Sequence, residues 1–527
     1  MEQGNLLGSM KLPWNPHSGF KLDLAASLTA SAWSMLLQMA CVPLYIRFLG
    51  VEAYGLIGFY LMLQAILQVL DLGLSPTMNR EMARYSVQPE KADEARDLVR
   101  TLELGYWLIG LMIGLVFVTA SPWVAAHWIK ASGIPVASVR HALMLMGILA
   151  ALQWPVSFYQ GGLLGLRRQI LFNVFRTIAS TVSNGGAVLV LWIISPTIQA
   201  FFLWLVVTNA VTLVCWTVFL WKSLPAATRS PEFRLPLLRN IVGFAAGMSG
   251  MTAAALILTQ SDKVILSSVL SLKMFGFYTL GGMFGAGLSM IIMSVFNTAY
   301  PRFSALVAQG DEQALVTLYH MSTQLMAVLI LPLATVLALF STDILQLWTR
   351  NSEVAQGAGP IATLLVIGSA LNGLMFLPYA LQLAYGWTSI GLRITISLTI
   401  IFVPAIWFMA TTYGVLGAAL MWPAFNCVYM AIGVPLTHRR LLKGQALRWL
   451  GDIGLPLVAS SFVVLIGRRL AGATMSQPVQ IGVILGLFFC ATGAAVLVSS
   501  SIMSWLISQS RRVSLHAKRI GATWKCL

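Results

Sequence analysis

The chain is 527 residues long, 58% hydrophobic and only 9% charged, where soluble domains carry roughly 25% charged residues. A mean hydropathy of +0.81 leaves too little polar surface for a water-soluble fold. The net charge of +16 is scattered through short loops between apolar runs, which argues against nucleic acid and for the loop bias of membrane proteins.

In chain order, residues 1–23 hold Pro13, Trp14, Asn15 and Pro16 and lack the ordered parts of a cleaved signal peptide, so the first span itself is expected to direct insertion. Continuous apolar runs of about 20 residues then predict transmembrane helices rather than strands. They are placed at roughly 24–48, 53–77, 101–120, 139–163, 171–194, 199–221, 241–268, 275–298, 317–341, 361–383, 390–411, 414–436, 453–471 and 480–507. Breakers at Gly50 to Ala53, Ser195-Pro196, Gly310-Asp311 and Thr412 to Gly414 separate neighbours. The expected fold class is an all-α integral membrane protein with about fourteen transmembrane helices. With the N-terminus in the cytoplasm, 25 of the 33 Lys and Arg residues fall in inside loops and 8 in outside ones. A miscounted span would invert every later loop, so the bias supports an even helix number and cytoplasmic termini.

The sequence also repeats itself. Leu49-Gly50-Val51-Glu52-Ala53-Tyr54-Gly55 is matched 221 residues later by Leu270-Ser271-Leu272-Lys273-Met274-Phe275-Gly276, and Arg80 is matched by Arg302 at a near-identical offset of 222. Six spans separate the copies, so both halves run the same way through the membrane, an architecture of transporters with the substrate between halves.

Polar residues inside spans must face protein or water. Ser27, Ser31, Ser34 and Gln38 share one face of span one; Gln64, Gln68 and Asp71 share one face of span two. The serines suit interhelical hydrogen bonding as well as a cavity; the second stripe points more to a wet cavity. Asp71 is a cation or proton site, or a partner for an arginine such as Arg80. Asp262-Lys263, late in span seven, is either a functional charge pair or a structural one. Arg47 lies at the matching end of span one, where snorkelling also explains it. Arg393 fits orientation alone, Glu103 is read as favouring the start of span three, and His320 as a satisfied structural residue. Pro43, Pro155, Pro332, Pro378, Pro404 and Pro423 lie within spans, where each frees a carbonyl and can bend its helix.

The five cysteines, Cys41, Cys215, Cys427, Cys490 and Cys526, form no C-x-x-C pair, so neither a disulfide framework nor a metal site is indicated. No phosphate-binding loop, nucleophile elbow or His–Glu metal motif is present. No catalytic residue, metal or cofactor is expected, and any pumping must use a gradient or a partner.

Val42-Pro43-Leu44-Tyr45-Ile46-Arg47-Phe48-Leu49-Gly50-Val51-Glu52-Ala53-Tyr54-Gly55 and Leu70-Asp71-Leu72-Gly73-Leu74-Ser75-Pro76-Thr77 resemble the opening of bacterial polysaccharide flippases. So do Gln260-Ser261-Asp262-Lys263-Val264-Ile265-Leu266, Phe275-Gly276-Phe277-Tyr278 and Leu377-Pro378-Tyr379-Ala380-Leu381-Gln382-Leu383-Ala384-Tyr385-Gly386. The resemblance is to Wzx-type O-antigen or exopolysaccharide transporters of the multidrug/oligosaccharidyl-lipid/polysaccharide superfamily. It implies two pseudo-symmetric six-helix bundles, at 24–221 and 241–436, joined by a cytoplasmic linker at 222–240. Two accessory helices (437–507) and a basic tail (508–527) follow. It implies a flippase for undecaprenyl-pyrophosphate-linked oligosaccharide in the bacterial inner membrane, working by alternating access with H+ or Na+ as coupling ion and with polysaccharide polymerase and chain-length proteins as candidate partners. Gln38, Gln64 and Gln68 suit sugar hydroxyls, Arg47 and Lys263 the pyrophosphate, and Asp71 or Asp262 the coupling cation. The rival readings are a drug or cation antiporter of the same superfamily, and a membrane-embedded glycan polymerase or ligase. The latter usually carries a long external loop, whereas Ser121 to Val139, with Trp123 and Trp128, reads as an interfacial helix.

Overall fold

The computed structural model describes residues 16–70, 74–226, 229–236, 260–471 and 476–504, which form helices and no β-strand. They run α1 (Pro16–Leu70), α2 (Leu74–Tyr85), α3 (Ala92–Trp123), α4 (Val136–Gly165), α5 (Gln169–Ile193) and α6 (Ile198–Ser223). After the linker come α7 (260–269), α8 (Leu272–Gln309), α9 (Glu312–Leu339), α10 (Ser341–Thr349), α11 (Ser352–Ala384), α12 (Thr388–Arg440), α13 (Ala446–Leu470) and α14 (Gln477–Val498). Eleven helices among the described residues are long and apolar enough to cross a membrane. Two of them, α1 and α12, each carry two of the expected spans. The span expected at 241–268 lies largely outside the described residues, and α7 is its end.

A straight α1 would be about 80 Å long, far beyond the roughly 30 Å hydrocarbon core. It breaks at Gly50 (φ 81°, ψ 166°), and α12 breaks at Gly414 (φ 65°, ψ −150°). Both conformations are open to glycine and closed to residues with a Cβ. The prolines behave differently: Pro43, Pro155, Pro332, Pro378, Pro404 and Pro423 all lie inside helices that continue past them. At Gly310-Asp311 the glycine is left-handed (φ 72°) and ends α8, while the Asp311 carboxylate accepts from Ala314 N at 2.9 Å and starts α9.

The packing divides into two units. The first holds the described residues of Met1–Gly50, Leu63–His127 and Ile134–Ala255; the second holds those of Val51–Met62, Trp128–Gly133 and Leu256–Leu527. The core of the first is aromatic, with Tyr106, Trp154, Phe158, Tyr159 and Trp216 buried together. That of the second joins Leu288, Phe303, Tyr319, Ile330, Leu374 and Trp449. In the second unit α13 and α14 pack on α9, with Val336, Phe340, Val464, Ile484 and Ala491 forming a separate small core.

On α3 the large apolar residues Leu104, Leu108, Leu111, Met112 and Leu115 are exposed at helical spacing. Such a stripe would be unfavourable in water and is what a lipid-facing helix presents. The segment Ser121 to Val139, read as an interfacial helix, is instead the end of α3 extended by a π turn at Val124–Trp128, a non-helical connection at 129–135 and the first turn of α4.

Candidate functional site

The residues singled out from the sequence separate into three groups. Asp71 lies outside the described residues. Gln38, Arg47 and Gln68 are exposed side chains. Gln64, Asp262 and Lys263 are partly buried, and hydrogen bonds hold them in place.

In the first unit, Gln64 Nε2 donates to Gln153 Oε1 of α4 at 2.6 Å. The stripe on span two therefore does not act as one surface: Gln64 meets a second amide, one turn from the exposed Gln68. The stripe on span one is divided as well. Asn173 Nδ2 donates to Ser27 Oγ at 2.9 Å, and Ser34 Oγ returns to the Ala30 carbonyl. Trp33 and Tyr45 add bonds to Thr181 Oγ1 and the Asn184 carbonyl, both at 2.9 Å. Ser27, Trp33 and Tyr45 thus climb α1 as Asn173, Thr181 and Asn184 climb α5. The serine stripe is interhelical glue in its lower part.

In the second unit, α7 and α8 bring three polar groups together. Lys263 Nζ lies 3.2 Å from Asp262 Oδ1, and the Tyr278 hydroxyl donates to Asp262 Oδ2 at 2.7 Å. The Lys263 side chain is 38% exposed and that of Asp262 25%. Both charges therefore remain in reach of a ligand, while the aspartate is fixed by a hydroxyl from the next helix. An unpaired charge at the centre of a span costs about 2.5–3.5 kcal/mol or more; adjacent opposite charges offset most of that.

The repeat is visible in how the ends of these helices are tied. Glu52, in the first turn after the Gly50 break, accepts from Ser132 N at 2.5 Å and from Gly133 N at 2.9 Å. A carboxylate at a helix start is also favoured by the backbone dipoles. The same connection before α4, residues 129–135, is seated with Trp128 on the corner between α7 and α8. There, Leu272 N donates to the Lys130 carbonyl at 2.9 Å, and Trp128 Nε1 to Ser267 Oγ at 3.0 Å. Lys273 is the repeat equivalent of Glu52, and its ion-pair partner Glu353 is the equivalent of Ser132 at the same interval of 221. The first tie uses two backbone donors and the second an ion pair; both are exposed, and the pair contributes little.

Three buried carboxylates carry structure that the sequence reading missed. Glu103 does not open α3: it lies about three turns inside the helix. It accepts from the Tyr159 hydroxyl at 2.7 Å and Trp221 Nε1 at 3.2 Å, and it pairs with Arg100 at 3.0 Å. Asp97 accepts from Arg229, from Arg234 Nε at 2.9 Å and from Glu232 N at 2.8 Å, so it ties the linker to α3. The Asp97 carboxylate pushes the Arg229 guanidinium above its ordinary range, chiefly through their hydrogen bond. Asp452 on α13 faces His320 Nδ1 at 2.5 Å and accepts from Gln324 Nε2 at 2.6 Å. His320 is thereby a satisfied structural residue, its other nitrogen 3.0 Å from Gln445 Oε1. Among the described residues no group of three His, Cys, Asp or Glu side chains could hold a metal ion.

Comparison with known proteins fits this architecture. Residues 23–307 match the family described as polysaccharide biosynthesis protein. A Shigella flexneri protein named as a candidate O-antigen transporter is 20% identical over 377 residues, 71% of this chain and 87% of that one. The lipid II flippase MurJ, in an inward closed conformation, superposes with a TM-score of 0.67 at 14% identity, covering 92% of this chain and 100% of that one. A multidrug resistance MATE family transporter of the MOP superfamily, in an inward-facing conformation, gives a TM-score of 0.64 at 14% identity, covering 77% and 94%. At that identity both likenesses show the fold. The family match spans more than half of the sequence, and the chain belongs to the polysaccharide biosynthesis protein family, as a multi-pass membrane transporter and not an enzyme.

Proposed function

We propose that the chain flips undecaprenyl-pyrophosphate-linked oligosaccharide units across the bacterial inner membrane by alternating access, with both termini cytoplasmic and an H+ or Na+ gradient as the driving force. The observation that carries this reading is the Asp262–Lys263–Tyr278 cluster in a chain of this family: a half-exposed ammonium, held beside a fixed carboxylate, in a span. A lipid-linked glycan is hard to move for two reasons. Each sugar hydroxyl taken into oil without a partner costs roughly 2–7 kcal/mol, and the pyrophosphate is an anion that hydrocarbon excludes. Lys263 in the second unit and Arg47, exposed on α1 in the first, each offer a cation for the second need. Gln38 and Gln68, also exposed, and Gln64 with Gln153 offer amides for the first.

The pairing also gives the ion a way to act. Lys263 is shared between Asp262 and any bound phosphate. A proton or Na+ on Asp262 weakens its hold on Lys263, so occupancy of one site alters affinity at the other, reciprocally.

The test is deletion of the gene, followed by complementation with Lys263→Gln and Arg47→Gln. Loss of surface glycan with lipid-linked repeat units left on the cytoplasmic face is the expected result, restored by the wild-type gene and not by the double variant. Normal surface glycan together with lost ethidium efflux would assign the chain to drug or cation antiport instead.

A further inference from the structure

The second unit contains a groove of about 1070 Å³ that the proposed function does not use. Its walls come from the α9–α10 junction, the start of α11, the middle of α12 and the end of α13, with Leu339, Thr342, Leu364, Phe408, Leu416 and Arg468 among the lining residues. Most of that lining is apolar. Two of its hydroxyls are already bonded within the protein: Ser341 Oγ lies 2.8 Å from Thr363 Oγ1, which donates to the Ala338 carbonyl at 2.8 Å. Along the groove, Phe408, Tyr413, Leu416 and Leu420 of α12 are exposed.

Depth is set by the helices. Arg468 stands two residues before the end of α13, and α12 lines the groove from Phe408 through its Gly414 break. Leu420, at the far end, is six residues on, about 9 Å deeper. The groove therefore begins at the membrane surface and covers the upper part of one leaflet, whose hydrocarbon is about 15 Å thick. A laterally open apolar groove at that depth stays dry, and what fills it is acyl chain.

The headgroup is chosen by Arg468. Its guanidinium lies over the Phe340 ring, 5.1 Å from the centroid, which fixes the plane of its donors. Among the described residues the carboxylate paired with it is Asp343, 3.8 Å away, which accepts from Gln480 Nε2 at 3.2 Å. Arg469 follows Arg468 and is exposed, so the end of α13 carries two cations. An arginine in a last turn is favoured by the helix dipole in any case, but that does not account for a groove beneath it. We infer that this groove is a binding site for an anionic phospholipid of the bilayer, with its phosphate on Arg468 and an acyl chain along Leu416 and Leu420.

The experiment reconstitutes the full chain in phosphatidylcholine vesicles holding a minor fraction of photoreactive phosphatidylglycerol or, in parallel, photoreactive phosphatidylcholine with the same chains. Adducts are then mapped by mass spectrometry. Phosphatidylglycerol is expected to label the groove about fivefold more than phosphatidylcholine, the factor that one interfacial arginine supplies. Arg468→Gln should remove that excess. Leu416→Trp, which fills the groove, should remove adducts with both lipids while thermal unfolding stays cooperative. Equal labelling by the two lipids overturns the inference, as does an excess that survives Arg468→Gln. Displacement by inorganic phosphate would make it a free-anion site, and preferential displacement by polyprenyl phosphate would assign the groove to the transported carrier; either result also overturns it.

Discussion

Gly55 and Gly276 are equivalent positions of the internal repeat, and they meet at the contact between the second half of α1 and the start of α8. A Cβ on Gly276 would sit 2.6 Å from the Val51 carbonyl oxygen and 3.2 Å from Gly55 N; a Cβ on Gly55 would collide with the carbonyl oxygen of Leu272. Val51 and Leu272 are themselves repeat equivalents. The contact is thus self-complementary in the way a two-fold interface is, and Gly58 against Thr279, equivalent again, extends it.

Gly55→Val and Gly276→Val should therefore separate these helices. Overpacking of this kind costs about 1–3 kcal/mol, and the blocking atoms are backbone, which cannot rotate away. Gly282→Ala is the control, since a Cβ there meets nothing within 4 Å. Thermal unfolding of the purified proteins should show a clear fall for the two valine variants and none for the control.

The Asp262 cluster predicts an ordered series. Tyr278→Phe removes one hydrogen bond to a carboxylate, worth about 1.5–3 kcal/mol to its placement, and leaves both charges. Asp262→Asn leaves Lys263 without its neighbouring carboxylate. Glycan export in complemented cells should be partly retained in Tyr278→Phe and should lose its dependence on the ion gradient in Asp262→Asn. Unchanged gradient dependence in Asp262→Asn would falsify the coupling role.

Asp452 holds α13 to α9. Replacing it with Ala strands His320 and the Gln324 amide in a buried site, a loss of about 3–5 kcal/mol by the precedent of broken buried pairs. A double-mutant cycle of Asp452→Ala and His320→Ala, read by thermal unfolding, should give strongly non-additive changes.

Asp97 predicts a local effect. It collects two arginines and a backbone amide from residues 229–234, so Asp97→Ala should free that linker stretch. Limited trypsin digestion should cleave at Arg229 or Arg234 several-fold faster than in the unaltered chain, while the apolar core of the first unit, built around Trp154 and Trp216, keeps its stability.

What the sequence could show follows from locality. A span needs only about 20 apolar residues in a row, because backbone polar groups in lipid must bond within their own helix. Helix positions were therefore readable one segment at a time, and so were the stops: the breaks at Gly50 and Gly414 and the junction at Gly310-Asp311 fall where the chain carries glycine. The repeat of Leu49–Gly55 at Leu270–Gly276 was legible for the same reason.

Partnership was not. Gln64 finds Gln153 across 89 residues, His320 finds Asp452 across 132, and Arg229 finds Asp97 across 132. Helical periodicity places a polar group on a face but does not say which helix that face meets. For this reason Gln64 and Gln68, one turn apart, differ: one is bonded and partly buried, the other exposed. Glu103 was misread because the start of α3 lies in the polar run before its span, where hydropathy gives no signal. The sequence alone determined that this is a helical membrane protein with repeated halves. Only the tertiary structure decided which intramembrane charges are buried in holding helices together and which, like Lys263, stay partly exposed, because in a bilayer the fate of a charge depends on the neighbouring helix.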